Sequence, residues 1–314
     1  MAIVVTMCKL FAAMLIGYFL NKADILDERT SKHLSAMIVS IIMPLLIISS
    51  VAGIQGDSGE VLKLFLAGVV CYGMFPVIAF LVVRLFRIPV NLRGTYMCMV
   101  IFSNNAFMGY PVVSALFGNS AIFYATIFNM MFNIMLFSLG IYLIRKDAGI
   151  DGEKEEAPVI PKKRIYAIRQ VLNNGVIASI IALVVYFSGV KLPGVISEPC
   201  GFIGNVCMPL SMMVIGSSIA NYSLKEIFSE KKVYLITFVR LVLMPVLVYF
   251  AMHLFTDNME LIKIATITIG MPIASVVAMA SAPYKNQGKA AAIAVVFTTL
   301  CSLITTPVMC LILE

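Results

Sequence analysis

Apolar residues fill the chain in ten runs long enough to cross a membrane, at about 2–20, 34–54, 61–83, 94–117, 120–144, 169–189, 199–220, 233–255, 259–282 and 289–312. Some 20 residues at ~1.5 Å each match a hydrocarbon layer of roughly 30 Å. Lipid cannot satisfy free backbone groups, so each run predicts a transmembrane helix, and the fold class expected is an all-α integral membrane protein. One long polar stretch, 145–164, rich in Lys, Glu, Asp and Pro, separates the fifth run from the sixth. It predicts a first five-helix unit at 1–145, a linker at 146–168 and a second five-helix unit at 169–314. The first run has no basic flank and no small-x-small cleavage site before Asn21, which predicts a retained span.

Two of the runs are interrupted. Residues 103–111 read Ser-Asn-Asn-Ala-Phe-Met-Gly-Tyr-Pro inside the fourth, and Gly270-Met271-Pro272 stands inside the ninth. Proline lacks an N–H and glycine weakens helix, so both places predict a break. Asn104 lies 11 residues past Arg93, which at ~1.5 Å per residue puts it roughly 16 Å deep, near the bilayer centre. Broken helices carrying polar side chains at that depth are the expected form of a transport site. The candidate substrate-binding residues are Ser103, Asn104, Asn105, Gly109 and Pro111 from one break, with Gly270, Pro272, Ile273, Ala274 and Ser275 from the other. Asn129 and Asn133 join them, because a spacing of four sets them on one helical face. They line the site or bond neighbouring spans; a proline kink with its amides satisfied by neighbours is the plainer alternative for 103–111.

Charge then sets orientation. The loops after runs 1, 3, 5, 7 and 9 carry 18 Lys and Arg, and the intervening loops carry three. Basic loops stay in the cytoplasm, so the linker is expected inside and both termini outside, in the plasma membrane. The formal net charge of +7 reflects that asymmetry and implies no nucleic acid. Five spans per unit is an odd number, so related units must sit with opposite topology. Three proline pairs support the relation: Pro44 with Pro209 at an offset of 165, Pro76 with Pro245 at 169, and Pro111 with Pro272 at 161.

Chemistry narrows the function further. Every Asp and Glu falls in a loop or at the edge of a run, which counts against a cation/proton exchanger that needs buried carboxylates. The two histidines stand at run edges, and no serine or cysteine in a run has an acid or histidine to activate it. The seven cysteines show no metal or redox spacing, and no phosphate-binding loop occurs, so neither an enzyme, a cofactor nor ATP coupling is expected. Helices beginning near Pro111 and Pro272 would aim positive ends at the breaks, which favours a carboxylate. The carbonyl ends of the preceding half-helices could hold sodium. Arg240, deep in the eighth run, is either an anion contact or gating charge, or a cap on the Leu241 carbonyl that Pro245 leaves unpaired.

Gly-Tyr-Phe-Leu at 17–20, Met-Pro-Leu-Leu at 43–46, Asn-Asn-Ala-Phe-Met-Gly-Tyr-Pro at 104–111 and Met-Pro-Leu at 208–210 resemble the auxin efflux carrier family. So does the stretch from Met271-Pro272 through Ala282-Pro283-Tyr284 to Thr305-Thr306-Pro307. That family includes bacterial malate and malonate carriers and plant auxin exporters. The resemblance implies a bile-acid/sodium symporter type of fold, with runs 1, 2, 6 and 7 as scaffold and 3–5 and 8–10 as a moving transport domain. It implies that runs 4 and 9 cross at their breaks, that Asn104 contacts substrate, and that a homodimer forms through scaffold helices. The function expected is a carrier of a small organic anion, a mono- or dicarboxylate or an auxin-like aryl carboxylate, working as an elevator. A sodium-coupled symporter of the bile-acid type and a non-transporting receptor are the alternatives.

Overall fold

The computed structural model describes residues 2–52, 58–151, 174–190, 192–228, 230–281 and 284–313. Among them the chain is helical, and its one extended pairing is an isolated antiparallel bridge between Ser103 and Ile273. In order the helices are α1 (Ala2–Lys22), α2 (Glu28–Ser50), α3 (Ser58–Leu85), α4 (Arg93–Ile101), α5 (Asn105–Phe117) and α6 (Ser120–Asp147). The second half holds α7 (Asn174–Ser188), α8 (Gly194–Ala220), α9 (Lys231–Met252), α10 (Met259–Ile269), α11 (Ser275–Ser281) and α12 (Lys285–Ile312). Six helices, α2, α3, α6, α8, α9 and α12, are long and apolar enough to cross a membrane. The protein is an integral membrane protein.

Prolines shape several of these helices. The residues just before Pro44, Pro111 and Pro245 each bond five residues back instead of four: Met43 to Ile38, Tyr110 to Asn105 and Met244 to Val239. A proline ring crowds the carbonyl four residues behind it, and a widened π turn relieves that crowding. Pro76, by contrast, sits inside the unbroken α3.

The breaks fall elsewhere than the prolines suggested. α4 stops at Ile101, and α5 already starts at Asn105, so Gly109 and Pro111 lie within a helix rather than at its start. The break is the extended stretch Phe102–Asn104. Its counterpart runs from Gly270 to Ala274 and does contain Pro272. The two stretches lie antiparallel: Asn104 N donates to the Pro272 carbonyl at 2.8 Å, and Ala274 N donates to the Phe102 carbonyl at 2.9 Å. Two backbone donors and two carbonyls freed by the breaks are thereby satisfied across them.

The helices leading into the breaks form the centre of the molecule. Every residue from Gly94 to Ile101 is buried, as are nearly all from Leu261 to Ile269. Leu62, Val77 and Leu81 of α3 are instead exposed, as a lipid-facing surface requires. α1 and α8 meet backbone to backbone. A Cβ added at Gly17 would stand 2.0 Å from the Met213 carbonyl oxygen, and one at Gly216 would stand 1.8 Å from that of Met14. Such small residues are the usual means of close helix approach in lipid. Ser217 ties this pair to α2, donating to the Leu26 carbonyl at 2.8 Å and bonding Ser31 at 2.8 Å.

The helix that contains α6 runs on to Asp151, into the stretch expected to be linker; residues 152–173 lie outside those described. Asp147, counted among the solvated linker acids from sequence, is 2% exposed. Its carboxylate accepts from Gly94 N at 3.1 Å, Thr95 N at 2.8 Å and Thr95 Oγ1 at 3.0 Å. It caps the start of α4, where backbone donors have no helical partner.

Candidate functional site

The two breaks open onto a cavity of about 550 Å³. Of the residues proposed from sequence, Ser103, Asn104, Asn105, Asn129, Asn133, Ala274 and Ser275 line it. Gly109, Pro111, Gly270, Pro272 and Ile273 are buried behind that wall. Pro272 accepts the bond from Asn104 N, and Ile273 N donates to Thr298 Oγ1 at 3.2 Å. Gly270 caps α10, where an added Cβ would lie 2.4 Å from Met309 Sδ.

The amides divide by task. Asn129 interrupts the helical turn at φ −89°, ψ 4° and serves as a hub. Its Oδ1 accepts from the Tyr72 hydroxyl and from Asn105 Nδ2 at 2.6 Å, while its Nδ2 donates to the Tyr110 hydroxyl at 3.2 Å. A buried amide with both ends occupied is a fixed part of the wall. Asn104 differs: its backbone holds the bridge, and its side chain makes no hydrogen bond to a described residue while lining the cavity. Ser103 Oγ and Asn105 Oδ1 are also buried without a partner. Unpaired polar atoms at this depth are costly, and a polar guest or ordered water would complete them.

Sequence reading missed the two tyrosines that orient Asn129. Tyr72 is fully buried on α3 and Tyr110 nearly so on α5. The available signal was chemical, since a tyrosine inside an apolar run needs a partner for its hydroxyl. The cavity wall also includes Lys32, Ser35 and Ser40 from α2, Gly175 and Ser179 from the start of α7, and Phe107 and Phe132. Lys32 pairs with Glu28 at 2.7 Å, both well exposed. No Asp or Glu lines the cavity among the described residues, and α5 and α11 both begin at its wall, with Asn105 and Ser275.

Arg240 stands apart from the cavity. It is fully buried, absent from the cavity wall, and does not cap Leu241. Its guanidinium donates to the carbonyls of Val100 at 2.8 Å, Met271 at 3.1 Å and Ile269.

Comparison with known proteins places the chain among membrane transporters. The chain is 28% identical over 222 residues to an uncharacterized transporter of Methanocaldococcus jannaschii, covering 67% of each chain. It is 21% identical over 261 residues to the uncharacterized transporter YfdV of Escherichia coli K12, covering 80% of each. An uncharacterized transporter of Methanothermobacter thermautotrophicus shares 22% identity over 214 residues, 67% of this chain and 66% of its own. The family model described as membrane transport protein matches residues 2–310, so the chain is a membrane transporter and belongs to the auxin efflux carrier family.

Proposed function

We propose that this transporter carries a small organic anion, a mono- or dicarboxylate, across the cell membrane by alternating access. The observation that carries the reading is the make-up of the cavity wall: amides, hydroxyls, two helix starts and one ammonium, with no carboxylate among the described lining residues. Helix starts and amide donors favour negative charge, and more strongly where water is scarce. The aromatic and aliphatic wall at Val39, Met43, Ile47, Phe107 and Phe132 suits a carboxylate that also carries an apolar or aryl part.

The proposed architecture is ten spans in two inverted five-helix repeats, with the broken segments crossing at the site. The reciprocal pairing of the breaks supports it. Phe102 and Pro272, Ser103 and Ile273, and Asn104 and Ala274 stand in equivalent roles, each pair 170 residues apart. That offset lies close to those of the first two proline pairs, and replaces the match of Pro111 with Pro272. In this reading α1, α2, α7 and α8 form the scaffold, and the remainder moves as an elevator. The cavity is walled by the α2 and α7 ends next to the basic loops, so the proposed state opens to the cytoplasm. A homodimer through α2 and α8 is part of the same proposal; Val195 and Phe202 of α8 are 87% and 81% exposed.

Uptake into liposomes containing the purified protein is the test, with labelled malate, malonate and an aryl acetate as probes. Saturable uptake of at least one supports the reading. Binding without uptake would make that anion a ligand rather than the cargo, and neither binding nor uptake of any probe would remove the anion.

A further inference from the structure

Behind the cavity, on the far side of the crossed breaks, Arg240 is held entirely by backbone. Its three hydrogen-bond partners are carbonyls: Val100 in the last turn of α4, Ile269 at the end of α10, and Met271 in the second break. No carboxylate pairs with it among the described residues, whose ion pairs are Lys32–Glu28 and Lys63–Glu60. The charge is balanced instead by the negative ends of two helices that point at it from the two halves of the chain. Converging helix ends and unwound carbonyls are the arrangement with which a membrane carrier binds a monovalent cation. Here a side chain fills it.

We infer that Arg240 is a built-in cation, occupying with its guanidinium a carbonyl nest that would otherwise bind a small monovalent cation, and holding α4 and α10 in the positions that keep the Ser103–Ile273 bridge paired. Arg240 is a positioning residue: it touches the cavity only through the breaks it holds. The nest lies behind the transport site proposed above, so the consequence for coupling rests on that reading, while the occupancy of the nest does not. A guanidinium with donors in a fixed fork suits three carbonyls from separate segments. The permanent charge also stands on the protein side of an anion site, where a mobile cation would have to be drawn from solution.

The test uses melting temperature of the purified, substrate-free protein in sodium chloride against choline chloride at equal ionic strength. Failure of the anion proposal therefore leaves it unaffected. Wild type should melt at the same temperature in both salts. Arg240→Ala vacates the nest and should melt lower in choline, with a saturable recovery in sodium or in low-millimolar guanidinium. Should that variant not fold, Arg240→Lys and Arg240→Met decide: the ammonium should preserve most of the melting temperature, and the neutral chain of similar length should not. A saturable sodium effect in wild type, an Arg240→Ala protein indifferent to both cations, or equal melting of the Lys and Met variants would each overturn the inference.

Discussion

At the scale of single residues, Asn104 and Asn129 are the instructive contrast. Both amides line the same cavity, but Asn129 has both ends bonded within the protein, whereas the Asn104 side chain bonds no described residue. Asn129→Ala would leave the Tyr72 and Tyr110 hydroxyls and Asn105 Nδ2 short of a partner. Each buried group left unpaired costs about 1–3 kcal/mol, so a marked fall in melting temperature is expected. Asn104→Ala should melt near wild type yet bind anion roughly 10- to 150-fold more weakly, the loss of one hydrogen bond to a charged group. Asn104→Asp should bind worse still, since like charge then faces the substrate. A titration of anion binding by all three variants, with melting curves alongside, checks the set. Normal binding by Asn104→Ala together with early melting would make that amide structural.

Helices and their contacts are the next scale. Asp147 caps α4 from the far end of α6, holding two backbone donors and the Thr95 hydroxyl. Asp147→Ala should destabilise the protein by about 1–2 kcal/mol or more, as the loss of a buried cap does, and Asp147→Asn by less. Thermal melting in detergent reads the difference. At Gly17 and Gly216 the α1–α8 crossing leaves no room for a side chain. Gly216→Val should cost about 3 kcal/mol or more, because even its Cβ meets the Met14 carbonyl, and the variant should express poorly. At the start of α2, the hydrogen bonds of Thr30 hold the Asp27 carboxyl below its usual range. A depressed carboxylate stabilises above its unfolded-state value and loses that contribution as pH falls through the lowered one, so this exposed cap serves at neutral pH and fades only in acid.

The whole molecule adds what no helix shows alone. Asn119, in the turn between α5 and α6, donates to Asn205 of α8 at 2.8 Å and accepts from Ser114 Oγ at 2.5 Å. In the elevator reading this bond links the moving part to the scaffold on the side where the cavity is closed. A neutral hydrogen bond is worth about 0.5–1.5 kcal/mol, so Asn119→Ala should shift the inward–outward balance roughly 2- to 10-fold away from the cytoplasmic-open state. Thiol labelling of Ser179→Cys from the cytoplasmic side would slow accordingly, and an unchanged rate would count against the elevator. pH is a second molecular property. With no acid in the cavity wall among the described residues, transport at fixed membrane potential should follow only the substrate's own ionisation. A titration that persists with a permanently charged substrate would contradict this.

Hydrophobic patterning by itself determined the membrane-spanning helical character, the two interrupted segments and the amides that share one cavity. Those properties depend on run length, on proline and glycine, and on which polar side chains stand at depth, all of which are local in the chain. Where the breaks fall was not local. Gly109 and Pro111 have the composition of a helix breaker, yet the π turn at Asn105–Gly109 absorbs them. The chain opens instead at Phe102–Asn104, because there alone a second broken segment supplies the missing backbone partners. The same holds for Asp147 and Arg240. Sequence placed one in a solvated linker and left the other between two local roles. Only packing brings α4 to Asp147, and three carbonyls from two distant segments to Arg240, since both contacts join residues more than 25 positions apart.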